Sequence, residues 1–526
     1  MDGKRPTIAS LHGMVAAAHP LAAQAGAKLL AAGGNAFDAA AATAAALNVV
    51  EPGLSGLAGM GMATCYIAAE QGVRVLDFGA RVPSALPAGR SGPRGGQDRG
   101  PSGCGAPGSL AGWCELAKAH GRKKLQEIVA PAVALARDGH ALIEFAGAST
   151  KQAARALRDQ PYFEDWRSTY LGSGTAGPGL MMRQPDLART FEIIASEGPE
   201  HFYRGALGRK VIAHVQSLGG CLTMQDMAAV NPVWREPLAA AYRGLQVHVP
   251  LPPGEGWQLL LTLRILDGFD LGVMERGGAD HLDTVWRAIR LAAGLGIGPN
   301  TPGPTALGRI LSDELVEPLR ARLRDPRALE GPTDQTLPEE RDPTRELATS
   351  FSVVDREGNA VCVTQSLGGL FGCGVVVPGT GICLNTLLGW GEPDGRGAHK
   401  PTAGAELALP MAPLICTKDC KPVLLLGSPG SQALLQTLVQ HADYGVAIQD
   451  AIETPRVRFG EGRRVRAEIR LPATIFEALR RRGHEVEAGV DWAMPVGAVQ
   501  GISIDPQTCV AIGGADPRRD GYVAVP

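Results

Sequence analysis

Residues 347–355 read Leu-Ala-Thr-Ser-Phe-Ser-Val-Val-Asp, and residues 359–366 read Asn-Ala-Val-Cys-Val-Thr-Gln-Ser. Val, Thr and Phe favour strands, where branched and aromatic side chains pack well on a pleated surface. Between the two stretches lie charged residues and Gly358, the composition of a tight turn. The pattern therefore predicts a hairpin of two adjacent antiparallel strands, Thr349–Asp355 and Ala360–Ser366.

The composition limits the classes of partner. The net charge of -2 provides no basic surface for nucleic acid or an anionic membrane. The longest apolar stretch near the N-terminus, Ala39 to Val50, is too short to span a bilayer. The first residues lack the apolar core of a secretory signal. We therefore expect a cytoplasmic protein with a small-molecule substrate, no nucleic acid and no membrane partner; a homodimer is left open.

Metal and cofactor chemistry is not indicated. The ten cysteines include no Cys-x-x-Cys pair, and the eleven histidines include no His-Glu-x-x-His. A free cysteine is usually buried, where it packs as a small apolar side chain. We expect reduced thiols, no metal site and no cofactor.

Several segments occur in an order typical of one family. They are GMVAAAHPLA (13–22), GGNAFDAA (33–40), VEPGLSG (50–56), GSPG (427–430) and GADPRRDG (514–521). Together they resemble the γ-glutamyltranspeptidases, members of the N-terminal-nucleophile hydrolases. The resemblance implies an α+β fold, the four-layer αββα sandwich. Residues 1–348 would correspond to the family's large subunit and residues 349–526 to its small catalytic subunit, together forming one globular domain.

The hairpin resembles the strand that carries the family's catalytic threonine, which begins Thr-Thr-His-x-Ser-Val-Val-Asp. In the family the first Thr cleaves the preceding peptide bond and then serves as the nucleophile. Aligned on Ser352, that position holds Ala348 here, and Ser366 occupies the place of an assisting hydroxyl 18 residues later (366 − 348). Thr349 is the neighbouring hydroxyl, but side chains alternate along a strand, so only a bulge would turn it into the site. We expect an uncleaved chain; Thr349 as a catalytic, self-cleaving nucleophile is the alternative.

Two of the family's substrate-binding positions have changed. The family holds the glutamyl carboxylate with an arginine after Asp-Phe; here Gly79 follows, and Arg81 lies two residues later. The acidic residue that binds the α-amine, in Asn-Asn-x-x-Asp-Asp, corresponds to Trp390 in the segment that begins at Asn385. Arg81, Asn385 and Trp390 are therefore candidate substrate-binding residues, with Arg81 as the partner of a carboxylate.

Of the family's other site positions, the paired serines are replaced here, whereas the oxyanion-hole pair is retained. The family's paired serines correspond to Leu409 and Pro410, and we count Leu409 among the substrate-binding residues. Gly430 and Ser431 correspond to the pair whose backbone N–H groups form the oxyanion hole, a role that survives a change of side chain. The catalytic candidates are thus Thr349, Ser366, Gly430 and Ser431.

The resemblance and these changes lead to three hypotheses. The first is a diverged hydrolase acting on a small non-γ-glutamyl carboxylate, similar to family members that cleave a C–C bond next to a keto acid in antibiotic (4-alkylproline) biosynthesis. The second is a self-processed amide hydrolase, acylase or γ-glutamyltransferase that uses Thr349. The third is a non-catalytic protein that kept the fold.

Two further expectations concern local structure. Tyr242 to Val249 has the composition of a single strand that ends before a Pro-rich segment. The segment from Asp325 to Arg345 is rich in Pro and charged residues, which is typical of a linker.

Overall fold

The computed structural model describes residues 5–87, 99–293, 304–325, 347–390, 401–459, 463–492 and 496–526. Its strands are β1 (Ile8–Ser10), β2 (Gly13–Ala17), β3 (Met60–Ile67), β4 (Gly72–Phe78), β5 (His140–Ala141), β6 (Met181–Met182), β7 (Val233–Arg235), β8 (Leu238–Tyr242), β9 (Leu245–Val249), β10 (Thr349–Asp355), β11 (Ala360–Ser366), β12 (Val376–Val377), β13 (Ile382–Cys383), β14 (Leu414–Lys418), β15 (Lys421–Gly427), β16 (Val457–Phe459), β17 (Arg464–Ala467), β18 (Glu485–Ala488), β19 (Gln500–Ile504), β20 (Ala511–Ala515) and β21 (Tyr522–Ala524).

The α-helices are α1 (Pro20–Ala31), α2 (Ala36–Val50), α3 (Ser109–His120), α4 (Leu125–Asp138), α5 (Glu144–Leu157), α6 (Phe163–Tyr170), α7 (Pro185–Glu197), α8 (Glu200–Tyr203), α9 (Ala206–Ser217), α10 (Met224–Ala228), α11 (Gly256–Leu266), α12 (Ala279–Ala293), α13 (Pro304–Ile310), α14 (Asp313–Arg324), α15 (Ser431–Tyr444), α16 (Ile448–Glu453) and α17 (Ala473–Arg481). Short 3₁₀ helices span Pro101–Gly103, Leu271–Val273 and Leu387–Trp390.

Two seven-stranded sheets form the centre of the molecule. One has the strand order β21-β2-β10-β11-β3-β4-β7, and the other has the order β1-β20-β19-β15-β14-β9-β8. The predicted hairpin is confirmed: β10 and β11 pair antiparallel from Thr349 opposite Gln365 to Val354 opposite Ala360, with no register shift. Because β2 and β3 pair with its outer edges, the hairpin lies at the centre of its sheet.

The four layers follow from which face each strand buries. Phe351 and Val353 pack with α1 and α2 in one core, whereas Val354 and Cys362 pack against Leu425 of the other sheet. The second sheet packs its outer face against α11, α12 and α15 in a separate core. Two sheets between two helical layers confirm the αββα sandwich, and strands from both sides of residue 348 pair within each sheet.

Helix α2 lies directly behind the hairpin, and its start is determined by the sequence. The Asn35 side chain accepts hydrogen bonds from the first turn while Asp38 accepts one from the Asn35 backbone, which forms a capping box. Every residue of the Ala-rich helix is buried, because small side chains let it pack closely on the sheet. The helix ends at Val50, and the next residue, Glu51, is buried and accepts a hydrogen bond from Thr349 of β10.

The predicted strand from Tyr242 to Val249 is confirmed over Leu245–Val249 and wrong at its start. The stretch is interrupted at Arg243 and Gly244, which adopt φ values of 50° and 76° and reverse the chain between β8 and β9. Glycine tolerates such a conformation, and the Arg243 side chain is held by Asp443 at 2.7 Å. The predicted linker, except for Asp325, lies outside the described residues.

Replacing Phe351, which is fully buried between β10 and the α1–α2 layer, tests the importance of this packing. We expect Phe351→Ala to lower the free energy of unfolding by about 3–5 kcal/mol, measured by urea denaturation. The control Val273→Ala removes an apolar side chain that is 79% exposed and should change it by less than about 0.5 kcal/mol. Equal effects of both changes would contradict the assignment of Phe351 to the core.

Candidate active site

The two faces of β10 carry different chemistry. Ser350 and Ser352 face the second sheet: the Ser350 hydroxyl lies 2.9 Å from Thr364 Oγ1, and Ser352 Oγ donates to the Gln500 carbonyl at 3.0 Å. Thr349 faces the helices, where its hydroxyl donates to Glu51 Oε2 at 2.5 Å. No bulge interrupts the pairing of β10 with β11, so Thr349 points away from the space between the sheets. Ala348, one residue earlier, belongs by alternation to the face of Ser350.

Ser366 is positioned on the peptide bond that precedes Ala348. Its buried hydroxyl donates to the Leu347 carbonyl oxygen at 2.5 Å and accepts a hydrogen bond from the Gly368 N–H at 2.7 Å. A donor on a carbonyl oxygen stabilises the negative charge that develops when the carbonyl carbon is attacked. The chain thus keeps a polarising group at Leu347–Ala348, while the hydroxyl that would attack is missing.

The predicted oxyanion loop follows β15. A Cβ atom added to Gly427 would lie 3.0 Å from Ser350 Cβ, so the loop begins directly against the inter-sheet face of β10. Gly430 adopts a φ of 80° and precedes the first turn of α15, which starts at Ser431. Both residues are partly exposed, and a Cβ atom on Gly430 would meet nothing within 4 Å. Their backbone amides lie at the start of α15, where the first N–H groups of a helix have no partner within the helix.

Apolar side chains fill the region of the substrate-binding positions. We call this group the apolar cluster; its buried members are Met60, Met62, Ala80, Val82, Leu387, Leu388, Trp390, Leu407, Leu409 and Met411. Trp390 Nε1 donates to the Gly368 carbonyl at 2.7 Å, which connects the cluster to the loop after Ser366. A Cβ atom on Gly79 would lie 2.9 Å from Leu409 Cδ1, so Leu409 takes space that a side chain at Gly79 would need.

Arg81 lies at the border of the apolar cluster with its charge directed outward. Its neighbours Ala80 and Val82 are buried in the cluster, whereas the Arg81 side chain is 42% exposed and pairs with Glu406 at 3.1 Å. Glu406 also pairs with Arg235 at 3.3 Å. The structure does not bring the Arg81 guanidinium into contact with Ser366 or Thr349; its role in binding a carboxylate stays a prediction.

Asn385 connects three backbone segments. Its Nδ2 donates to the carbonyls of Ala58 at 2.8 Å and Gly105 at 2.9 Å. Its Oδ1 accepts from the N–H groups of Gly105 at 2.9 Å and Leu387 at 3.0 Å. These four bonds use the full capacity of an amide side chain. A substrate contact by Asn385 would have to replace one of them.

Glu51 and Arg519 are the residues near the hairpin that the sequence did not single out. Burial raises the pKa of Glu51 from its ordinary 4.5 to about 7, although the Arg519 charge and the Thr349 hydroxyl both favour the carboxylate. Arg519, also buried, donates to the Ala348 carbonyl oxygen at 2.5 Å. The available signal was a glutamate directly after an Ala-rich, mostly apolar helix, since such a charge needs a partner when it is buried.

Thiols and metal ligands give no further site among the described residues. All ten cysteines are described and none forms a disulfide, and burial raises the pKa of the Cys373 thiol to about 11. Within the described ranges no group of three or more His, Cys, Asp or Glu side chains could hold a metal ion. No described helix is long and apolar enough to cross a membrane.

Comparison with known proteins agrees with this geometry. A sequence model of the family described as Gamma-glutamyltranspeptidase matches residues 22–525. The chain belongs to this family. It is 31% identical to the acylase ACY 1 proenzyme of Pseudomonas sp. (strain V22), covering 98% of this chain and 94% of that protein. It is also 31% identical to the glutathione hydrolase proenzyme of Bacillus subtilis (strain 168), covering 97% and 90%.

Solved structures show the same fold over the full length. Cephalosporin acylase from Bacillus halodurans superposes with a TM-score of 0.90 at 30% identity, covering 100% of this chain and 98% of that one. LmbA2991HD superposes with a TM-score of 0.88 at 27% identity, covering both chains completely. The protein is thus a γ-glutamyltranspeptidase-like hydrolase with the N-terminal-nucleophile hydrolase fold.

Restoring a hydroxyl at Ala348 tests whether the rest of the family's maturation site is intact. We expect Ala348→Thr to cleave itself before residue 348, because Ser366 already donates to the Leu347 carbonyl. Intact-mass spectrometry and N-terminal sequencing of the new fragment measure this. Ala348→Val, which has the same shape without the hydroxyl, should not cleave there. If Ala348→Thr does not cleave before residue 348, the site has lost more than its nucleophile.

The raised pKa of Glu51 predicts a pH dependence of stability. Between pH 4.5 and about 7 the unfolded chain loses this proton while the folded protein keeps it, so the contribution of Glu51 to stability falls as the pH rises. One pKa unit corresponds to about 1.4 kcal/mol, so the shift from 4.5 to about 7 corresponds to roughly 3 kcal/mol.

Urea denaturation of the wild type and Glu51→Gln across this range measures the effect. The free energy of unfolding of the wild type should fall relative to Glu51→Gln as the pH rises from 4.5 to 7. A difference that stays constant, or that grows in favour of the wild type, would show that Glu51 is ionised throughout.

Proposed function

We propose that this hydrolase acts on a small carboxylate substrate with an apolar body and without a γ-glutamyl group. The observation that carries the proposal is the apolar cluster. Trp390 and Leu409 occupy positions where the family binds the charged ends of glutamate. They are 2% and 0% exposed, and both belong to the buried apolar cluster. Gly79 leaves no room for the family's arginine unless Leu409 moves.

Energetics favour this substrate class. A free amino acid end brings both an ammonium and a carboxylate, and burying either without a partner costs several kcal/mol. Several kcal/mol correspond to roughly a thousandfold in affinity. Apolar surface of a ligand, in contrast, gains about 25 cal/mol for each Å² that the cluster would cover.

The finer proposal is cleavage of a C–C bond next to a keto acid, as in antibiotic (4-alkylproline) biosynthesis. Attack on a ketone produces an oxyanion, for which the backbone amides of Gly430 and Ser431 are the candidate donors. Without a hydroxyl at Ala348, the attacking group would be an activated water, because Thr349 faces the helices and points away from these donors. The full-length likeness to LmbA2991HD is compatible with this role.

An amide hydrolase of the acylase type is the second candidate. It is favoured by the full-length likeness to cephalosporin acylase from Bacillus halodurans. It would need a hydroxyl nucleophile, and Thr349 is the candidate adjacent to the family's position. A scaffold without activity would be consistent with Ala348 alone, but it gives no reason for the Ser366 hydroxyl to remain on the Leu347 carbonyl.

A substrate screen tests the proposal. The purified protein should turn over members of a keto-acid and apolar amide panel and leave a γ-glutamyl anilide unchanged. Turnover of the anilide comparable to that of a transpeptidase would show that the apolar cluster does not exclude the γ-glutamyl group. Absence of turnover with every member of the panel would favour the scaffold hypothesis.

The ion pair of Arg81 allows a sharper test with a carboxylate substrate from this panel. Arg81→Gln should raise KM about tenfold or more, because a charge-assisted hydrogen bond contributes about 1.5–3 kcal/mol. Glu406→Gln should lower KM, since it releases Arg81 from its partner at 3.1 Å. Both variants break the same surface pair, so equal effects on KM would mean that Arg81 only stabilises the fold.

A further inference from the structure

The predicted oxyanion loop, residues 427–431, lies against a buried segment that precedes β19. We call this segment, residues 496–499, the support segment. The Ser428 hydroxyl accepts a hydrogen bond from the Ala498 N–H at 3.2 Å. A Cβ atom added to Gly497 would lie 3.0 Å from Ser428 Oγ and 3.1 Å from the Pro429 carbonyl oxygen, so the two segments are in direct contact. The position of the loop therefore depends on the position of the support segment.

The support segment is held by a buried arginine and a buried aspartate. Arg456 donates through Nε to the Val496 carbonyl at 3.2 Å and through Nη2 to the Gly497 carbonyl at 2.8 Å. Asp516 Oδ2 accepts from the Val499 N–H at 2.9 Å and from Arg456 Nη2 at 2.5 Å. The side chains of Arg456 and Asp516 are 1% and 0% exposed. Their contacts thus fix the backbone of the support segment from within the core.

Charge balance alone does not account for these contacts. Arg518 pairs with Asp516 at 3.2 Å and with Glu468 at 2.6 Å, so two arginines and two carboxylates form a buried group in which each charge has a partner. The bonds from Arg456 to the two carbonyls of the support segment are additional. They use the planar, forked shape of the guanidinium, which a point charge such as an ammonium does not have.

The turn that carries Asp516 also contacts the start of β10. The Arg519 N–H donates to the Asp516 carbonyl at 3.3 Å, and the Arg519 side chain donates to the Ala348 carbonyl oxygen at 2.5 Å. Ala348 holds the position of the family's nucleophile. One turn therefore connects the support of the oxyanion loop with the strand end that borders the site.

We propose that Arg456 and Asp516 are positioning residues, which hold the support segment so that the N–H groups of Gly430 and Ser431 point at the reacting oxygen of the substrate. Both act through the support segment and Ser428, without touching the substrate. The inference rests on the proposed function in one respect, the assignment of Gly430 and Ser431 as the oxyanion donors.

Position matters because these donors act on charge that develops during the reaction. Hydrogen bonds weaken steeply as their angle departs from linearity, and a displacement of about 1 Å at a reacting centre can lower a rate about a hundredfold. The bound substrate carries no oxyanion, so its affinity depends much less on the same donors. A displaced loop consequently lowers kcat and leaves KM nearly unchanged.

The first test replaces Arg456 by lysine, which keeps the charge beside Asp516 but not the bonds to two carbonyls. With a panel substrate that the wild type turns over, Arg456→Lys should lower kcat by about ten- to a hundredfold and change KM by less than about twofold. The matched control is Arg320→Lys on α14, since Arg320 donates to the Arg264 carbonyl at 2.6 Å and pairs with Glu317 at 2.6 Å. Wild-type kcat in Arg456→Lys, or an equal loss in both variants, would overturn the proposal.

The second test moves the loop and leaves the buried charges unchanged. In Gly497→Ala the new Cβ atom would lie 2.7 Å from Ala433 Cβ and 3.0 Å from Ser428 Oγ, so the first turn of α15 and the loop must shift. Gly198→Ala is the matched control, because Gly198 has a similar φ, 81° against 86°, but its Cβ atom would meet nothing within 4 Å. We expect Gly497→Ala to lower kcat as Arg456→Lys does and Gly198→Ala to retain it; equal values of kcat in the two variants would contradict the proposal.

Hydrogen exchange measures the order of the loop without a substrate. In Arg456→Lys and Gly497→Ala, the amides in the first two turns of α15 should exchange about tenfold faster than in the wild type, because their acceptors are carbonyls at the end of the loop and in the first turn. The amides of α2 should exchange at the wild-type rate. If the wild type turns over no member of the panel, the proposed function fails and exchange alone decides: unchanged rates in α15 of both folded variants would reject the positioning role.

Thermal unfolding verifies that each variant is folded before its rates are interpreted. If Arg456→Lys does not fold, Ser428→Ala takes its place, since it removes the bond between the loop and the Ala498 N–H. A folded Ser428→Ala with wild-type kcat and wild-type exchange in α15 would overturn the proposal.

Discussion

The alternation of side chains along β10 is the constraint on which the site depends. Strand β10 is paired on both edges, with β11 and with β2, so its register is determined twice. A slip by one residue would move Phe351 out of the helical core and place Ser352 in it. The packing of the whole sandwich therefore decides which face each residue near the hairpin start can use.

This constraint places the hydroxyl groups of Thr349 and Ser366 on opposite faces of the sheet, although the two residues lie close together on adjacent strands. The Ser366 hydroxyl lies on the face between the sheets and donates to the Leu347 carbonyl. The next residue, Ala348, holds the position of the family's nucleophile. Thr349 lies on the opposite face, where its hydroxyl donates a hydrogen bond to Glu51. A substitution at residue 348 consequently cannot be compensated by its neighbour without a bulge, and a regular pairing with β11 leaves no bulge.

Local patterns in the sequence predicted the hairpin, and the resemblance to the family predicted the sandwich. The β10–β11 hairpin and the capping box at Asn35 depend on residues close together in the chain, and the collinear family segments supplied the sandwich. The turn at Arg243 was missed although Gly244 follows it, because an arginine does not itself indicate a positive φ. Glu51 and Arg519 were missed because the residues that pair across the core are far apart in the sequence.

The substrate-binding region shows how one substitution constrains others. Leu409 packs where a side chain on Gly79 would have to lie, so an arginine at Gly79 would require the Leu409 side chain to move. Trp390 fills the cluster and donates to the Gly368 carbonyl, so an acidic residue there would lose both the apolar contacts and this hydrogen bond. A single reversal would leave an unpaired charge in an apolar environment, which costs more than the charge could return. The members of the apolar cluster are therefore coupled, because a charged side chain at any one of these positions would lie against apolar neighbours.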